Sequence, residues 1–237
     1  MRVCEVYTSI QGEGPRTGQP TTFVRFGGCN LRCSGWGQSK LPDGTTIGGC
    51  DTVFAVYPEW RHTWKSVEPD QLLADVREWP KNVCITGGEP LTQRTSELQS
   101  FAFGLLTEGH TIDLFTNGSQ VLSKHLWIAQ SKVSAVVDYK LPGSGEYGSF
   151  DLDSLTWLRT YKDTIKFVCK DNDDVETALY DISEHRLGDY AKLSFGVVWD
   201  GNISLAELSH ILVEEIPGAS LNVQTHKYIW PPDERGR

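Results

Sequence analysis

Short apolar runs alternate along this chain with stretches in which apolar residues return every three or four positions. Residues 22–26, 82–86, 111–115, 135–139, 164–169, 192–198 and 220–223 read as strands. Between them, residues 70–79, 95–108, 123–130, 152–161, 175–185 and 205–215 carry helical spacing; in the first of these, Leu72, Leu73, Val76 and Trp79 share one face. Pro80 and Pro217 stand just beyond two of the helices, where a missing amide and a fixed φ end a helix. Strand and helix in alternation build a mostly parallel α/β sheet. Periodicity alone does not separate an open doubly wound sheet from a parallel barrel. No internal repeat or low-complexity tract interrupts the pattern.

Composition sets the frame without choosing a function. At 237 residues the chain is long enough to bury a full core as one domain. Hydrophobic residues at 39% and charged residues at 22% describe an ordinary globular protein. A net charge of −9 argues against a broad nucleic-acid surface and against binding to anionic membranes. No apolar run approaches the roughly 20 residues of a membrane helix, and no leader-like segment precedes Cys4, so a cytoplasmic location is expected. The six cysteines are then better suited to metal or catalysis than to disulfides. Cys84 and Cys169 lie inside apolar runs and are expected in the core; Cys4 fits either place. Trp79 and Trp157 fall on apolar helix faces, whereas Trp36 lies outside any predicted element.

Cys29, Cys33 and Cys50 carry the candidate chemistry, together with Thr86-Gly87-Gly88-Glu89-Pro90. Three thiolates hold three irons of a four-iron cluster and leave the fourth iron open to a small ligand. A structural zinc site would close its shell with a fourth protein ligand. Gly87 and Gly88, without a Cβ, let the backbone approach a ligand closely, and they directly follow the apolar run Val83-Cys84-Ile85. Thr116-Asn117-Gly118, Lys140 and Gln224 likewise fall at or beyond strand C-terminal ends, the face on which parallel barrels build catalysis. Several residues read two ways. Asp138 and Lys140 suit a pocket or a solvated charge pair, and Arg25, between Val24 and Phe26, suits a carboxylate or the surface. Thr52 suits a hard cation or a helix cap, and His226 a ligand or a structural histidine.

These residues resemble the radical S-adenosylmethionine (SAM) superfamily and, within it, the 7-carboxy-7-deazaguanine synthases. The likeness rests on Ser9-Ile10-Gln11-Gly12-Glu13-Gly14, Phe23-Val24-Arg25-Phe26-Gly27-Gly28-Cys29-Asn30-Leu31, Cys50-Asp51-Thr52, the Gly-Gly-Glu-Pro turn, Thr116-Asn117-Gly118, Asp138-Tyr139-Lys140 and Gln224-Thr225-His226-Lys227. Those segments run in the family's order along nearly the whole chain. The resemblance implies an α/β fold, a partial, shortened (β/α) TIM-like barrel of the radical SAM type, as a single domain over residues 1–237. Residues 34–49 would be an exposed glycine-rich loop inserted within the cluster motif, and 233–237 a C-terminal tail. The implied site has a 4Fe–4S cluster on Cys29, Cys33 and Cys50, and magnesium on Thr52. SAM would lie against Gly87, Gly88, Glu89, Thr116, Asn117, Asp138 and Lys140. Substrate would meet Ile10, Gln11, Gly12, Glu13, Arg25, Thr86, Gln224 and His226.

The implied reaction is that of a lyase: conversion of 6-carboxy-5,6,7,8-tetrahydropterin to 7-carboxy-7-deazaguanine with loss of ammonia. No side chain is implied as the catalyst, since cluster-bound SAM carries the chemistry. A small-molecule pterin, an electron donor such as flavodoxin and a homodimer are the implied partners, with no nucleic acid and no membrane. Two departures stand out. Residues 34–49 separate the second and third cysteines, which usually lie close together, and Gly49 occupies the position before Cys50 that these enzymes commonly fill with an aromatic side chain packed on adenine. Two other functions share part of the pattern. A glycyl-radical activase would use the cysteines and Gly-Gly-Glu-Pro but not residues 11–14 or Cys50-Asp51-Thr52, and a metal-binding module would take up metal without cleaving SAM.

Overall fold

Neighbouring strands in this molecule follow the order of the chain, and that order decides the architecture. The computed structural model describes residues 1–199, 201–231 and 235–236. Its elements in sequence are β1 (Arg2–Ile10), β2 (Pro20–Phe26), β3 (Gln38–Lys40), β4 (Thr46–Gly48), α1 (Val53–Val56), β5 (Lys65–Ser66), α2 (Pro69–Val76), β6 (Asn82–Gly87), α3 (Thr95–Thr107), β7 (Thr111–Thr116), β8 (Val133–Tyr139), β9 (Thr164–Cys169), α4 (Asn172–His185), β10 (Lys192–Val197), α5 (Leu205–Glu215), β11 (Ser220–Leu221) and α6 (His226–Ile229). A 9-stranded sheet runs β11-β10-β9-β8-β7-β6-β2-β1-β5. From β2 across to β11 every neighbouring pair is parallel; β1 and β5 join the β2 edge antiparallel. The order never reverses between β6 and β11, so there is no switch point of the doubly wound kind. With free edges at β5 and β11, this is the partial barrel.

The seven expected strands all form, with ends shifted by a few residues at most. Their fully buried side chains, among them Phe26, Ile85, Leu114, Phe167 and Phe195, meet Leu72 and Val76 of α2 and Leu98, Phe101 and Leu105 of α3 in one core. The Phe167 and Phe195 rings stack at 4.7 Å, and Phe26 meets Phe101 edge-on at 6.5 Å. Trp79 and Trp157 pack against the core as expected, and Cys84 and Cys169 are buried. Among the described residues no helix is long and apolar enough to cross a membrane.

Two expected helices are absent. Residues 123–130 fold as two 3-10 turns, Leu122–Lys124 and Leu126–Ala129, separated by a non-helical His125. Residues 152–161 give a 3-10 turn, Leu152–Trp157, that ends in extended backbone at Leu158. Side chains take over the backbone partners there: Ser154 Oγ accepts from Leu122 N and donates to Asp151, while the buried Asp163 carboxylate accepts from Arg159 N and Ala135 N, both at 2.8 Å. Sequence periodicity also passes over β1, β5, α1, α6 and the hairpin of β3 and β4, which lies where an irregular loop was expected. Of the tail at 233–237, residues 233, 234 and 237 lie outside the described residues.

Candidate active site

The parallel strands end at one mouth, where a cavity of about 310 Å³ opens. The three cysteines, Thr52 and the ends of β1, β2, β6, β7, β8 and β9 all contribute to its wall. With one exception, every site residue read from the sequence borders this space. Ile10, Gln11, Gly12, Glu13, Arg25, Thr86, Gln224 and His226 line it, as do Cys29, Cys33, Cys50, Thr52, Gly87, Gly88, Thr116, Asn117, Asp138 and Lys140.

Glu89 is the exception. It is fully buried behind the wall, and its carboxylate accepts from Leu91 N at 2.9 Å, Thr116 Oγ1 at 2.8 Å and Asn117 N at 2.6 Å. Burial pushes this carboxyl up to about 7 against the pull of those donors. Glu89 therefore joins the turn after β6 to the turn after β7. The glycines before it have a similar structural duty. A Cβ on Gly87 would strike Phe26 O, and one on Gly88 would strike Gly28 O and lie 2.6 Å from Ala55 O. Gly88 N donates to Phe26 O at 3.0 Å and Glu89 N to Gly28 O at 2.8 Å, so the turn is seated on the segment that leads into Cys29.

On the cysteine side, Cys29 Sγ accepts from Leu31 N at 3.4 Å and Asn117 Nδ2 at 3.6 Å. Burial raises all three thiols, Cys33 to about 11; iron binding overrides that preference, since a coordinated thiol is deprotonated. Among the described residues no three His, Cys, Asp or Glu side chains converge tightly enough for a single metal ion. A four-iron cluster makes no such demand, because each cysteine binds a different iron. Three half-buried free thiols facing one cavity, Cys29 with two N–H donors on its sulfur, suit that group. Thr52 begins α1, yet its hydroxyl makes no capping bond and lies 3.5 Å from Cys50 Sγ.

Charged side chains on the cavity wall form a chain. Lys166 of β9, which sequence reading passed over, lies 3.0 Å from both Glu13 Oε2 and Asp138 Oδ1; Lys140 donates to Asp138 Oδ2 at 2.8 Å. Burial alone would raise the Glu13 and Asp138 carboxyls, but the neighbouring ammonium groups outweigh it and hold both below the usual range. Gln224 Nε2 donates to Glu13 Oε1. Gln11 Nε2 is buried without a partner among the described residues, an open donor. His226 packs its ring against Gly12, in the space a Cβ there would need, and burial lowers its pKa so that it stays neutral. Arg25 is partly engaged already: Nε donates to Glu5 Oε1 at 2.8 Å and Nη2 to Tyr7 OH at 3.2 Å. Those two nitrogens are therefore taken by Glu5 and Tyr7 and are not free for a paired grip on a carboxylate.

A 7-carboxy-7-deazaguanine synthase of Koribacter versatilis is 33% identical over 250 aligned positions, covering 100% of both chains. The chain belongs to the 7-carboxy-7-deazaguanine synthase family. Synthases of Leptospira interrogans (33% identical, 99% of this chain and 97% of theirs) and Clostridium acetobutylicum (31%, 99% and 98%) agree. No family profile matches the chain. Among solved structures, QueE of Escherichia coli superposes with a TM-score of 0.65 over 93% of this chain and 92% of its own, at 19% identity. Streptococcus suis SuiB bound to S-adenosylmethionine gives 0.52 over 84% of this chain and 50% of its own, at 13% identity; both likenesses concern the fold.

Within this synthase family frame, the insertion between Cys33 and Cys50 proves orderly. Gly49 N donates to Gly37 O at 3.2 Å, closing the hairpin of β3 and β4 at its base. The chain that leaves at Gly37 returns beside itself, so Trp36 stands next to Cys50 in space although residues 37–49 separate them. Trp36 borders the cavity with the three cysteines, and Lys140 Nζ lies 4.2 Å from the centre of its ring. The root is fixed too: Ser34 N donates to Ser144 O at 3.0 Å, and Gly35 lies so close to Gly143 O that no side chain fits there.

Proposed function

We propose that this chain is a radical SAM lyase that converts 6-carboxy-5,6,7,8-tetrahydropterin to 7-carboxy-7-deazaguanine with loss of ammonia, acting as a single domain over residues 1–237. The observation that carries the reading is the family likeness over the full chain, joined to a cavity lined by three cysteine thiols together with fixed polar groups. Cys29, Cys33 and Cys50 would hold a 4Fe–4S cluster which, with SAM bound, would supply one-electron chemistry and hydrogen abstraction. Gly87, Gly88, Thr116, Asn117, Asp138 and Lys140 hold the SAM, and Trp36 gives the apolar wall that Gly49 lacks. Glu13, kept ionised, and the open amide of Gln11 take the hydrogen-bonding edge of the pterin. Gln224 and His226 close over it, and Arg25 presents its remaining edge to the substrate carboxylate. Thr52 offers its hydroxyl to magnesium, which accepts sparse protein oxygen ligation and keeps its waters. An external donor of the flavodoxin kind and a homodimer complete the proposal.

The test is anaerobic. Protein reconstituted with iron and sulfide is given dithionite, SAM, magnesium and 6-carboxytetrahydropterin, and 7-carboxy-7-deazaguanine is sought by mass spectrometry. Formation of product that disappears in Cys50→Ala supports the reaction and the third ligand together. SAM cleavage without product, from protein with a verified cluster, would refute the substrate; no cleavage at all would refute the radical reading.

A further inference from the structure

We infer that Lys166 is a positioning residue for the substrate half of the site: by bridging Glu13 and Asp138 it fixes Glu13 as an oriented carboxylate acceptor for the pterin. This rests on the reading of Glu13 as a substrate contact.

The placement follows from the strands. Within β9, Ile165 and Phe167 are fully buried in the core on one face, so the two-residue period turns Lys166 to the other, toward the cavity. The register pairs Lys166 with Asp138 of β8, which sets the two side chains next to each other on the cavity wall. Glu13 reaches the same ammonium from the loop after β1, at 3.0 Å. Lys166 is 8% exposed, and a buried ammonium persists only when paired. Here two carboxylates share it, and the Phe115 ring lies 5.7 Å away.

The consequence for the substrate lies in protonation. Lys166 from β9 and the neutral His226 from α6 face Glu13, as does the neutral thiol of Cys84 from β6, held protonated by burial; Asp138 stands behind Lys166 and is paired separately with Lys140. Lys166 is thus the cation that keeps Glu13 ionised. Glu89, equally buried but lacking such a cation in contact, is pushed up to about 7. Without Lys166, the burial that raises Glu13 loses its main opponent and the carboxyl shifts upward; once protonated, it turns one acceptor oxygen into a donor facing the pterin N–H edge.

Equilibrium binding of 6-carboxytetrahydropterin tests this. It is measured by anaerobic calorimetry on the reconstituted enzyme with SAM and magnesium, without reductant, from pH 8.5 to pH 6. The wild-type dissociation constant is expected to change little across the range. In Lys166→Met it weakens by about tenfold for each pH unit below the new Glu13 pKa. In Glu13→Gln it is weak at every pH, and the double variant Glu13→Gln with Lys166→Met shows no pH dependence. If Lys166→Met does not fold, Lys166→Gln is measured in its place with the same expectation. A flat profile in the Lys166 variant, alongside weakened binding in Glu13→Gln, overturns the role given to Lys166. Wild-type affinity in Glu13→Gln overturns the reading of Glu13 itself.

Discussion

Replacing Gly88 by alanine tests the seating of the Gly-Gly-Glu-Pro turn without any cofactor. Gly88 does not have a positive φ, so an alanine there meets no backbone penalty of its own. The penalty is proximity: its Cβ would lie 2.6 Å from Ala55 O and closer still to Gly28 O, where ordinary contact begins at 3.4 Å. Both obstacles are main-chain atoms that cannot swing aside. The turn would have to withdraw by about 0.8 Å or more, an overpacking cost of about 1–3 kcal/mol. That withdrawal stretches the bonds from Gly88 N to Phe26 O and from Glu89 N to Gly28 O beyond useful length, at about 1 kcal/mol each. The sum, about 3–5 kcal/mol, corresponds to a melting-temperature drop of roughly 6–20 °C for a chain of this size. The assay is thermal unfolding of cluster-free protein by circular dichroism. Gly218→Ala is the control, since a Cβ there meets nothing within 4 Å. Equal melting temperatures for the two variants would refute the argument that these glycines are required by close main-chain approach.

Two further outcomes follow from particular residues. His125 is 2% exposed and burial lowers its pKa to about 4 from 6.5; the unfolded chain takes up a proton that the folded one refuses, so stability present above pH 6.5 is lost as pH falls toward 4, by up to about 3 kcal/mol. His125→Leu should flatten urea-unfolding stability across that window, and an unchanged slope would show that other groups dominate. Deleting residues 38–48 joins Gly37 to Gly49 at the closed base of the hairpin, and should leave iron content and SAM affinity within about threefold of wild type, because shortening an exposed loop alters closure entropy only slightly. Loss of the cluster in that deletion would mean the hairpin itself shapes the ligand set.

The central parallel strands were legible because buried apolar residues run together in them, as in Asn82–Gly87 and Val133–Tyr139. β1 was not: only Val3 within it is buried, and Glu5, Thr8 and Ser9 break any simple alternation. The missing helices failed for a different reason. Residues 123–130 and 152–161 have acceptable helical spacing, but the Ser154 hydroxyl accepts from Leu122 N, Asp163 accepts from Ala135 N and Asp151 N donates to Gly118 O, and these tertiary partners decide against helix there.

For the site, strand ends were enough to bring most candidates together, because a parallel sheet points all its C-terminal ends one way. That Glu89 turns away from the cavity wall was not legible, because sequence adjacency to two glycines does not tell which way a side chain turns. Lys166 left a signal that went unused: it is the single charged residue in Thr164–Cys169, and a lysine amid Ile165, Phe167 and Val168 needs a buried counter-charge. Trp36 left none, since its nearness to Cys50 depends on a hairpin closing between Gly37 and Gly49. Distance along the chain hid a contact that one main-chain hydrogen bond restores. The same reasoning bears on the insertion as a whole. A hairpin that begins and ends at one point adds residues without moving its flanks, so the spacing between Cys33 and Cys50 can lengthen while the thiols stay on the same cavity wall.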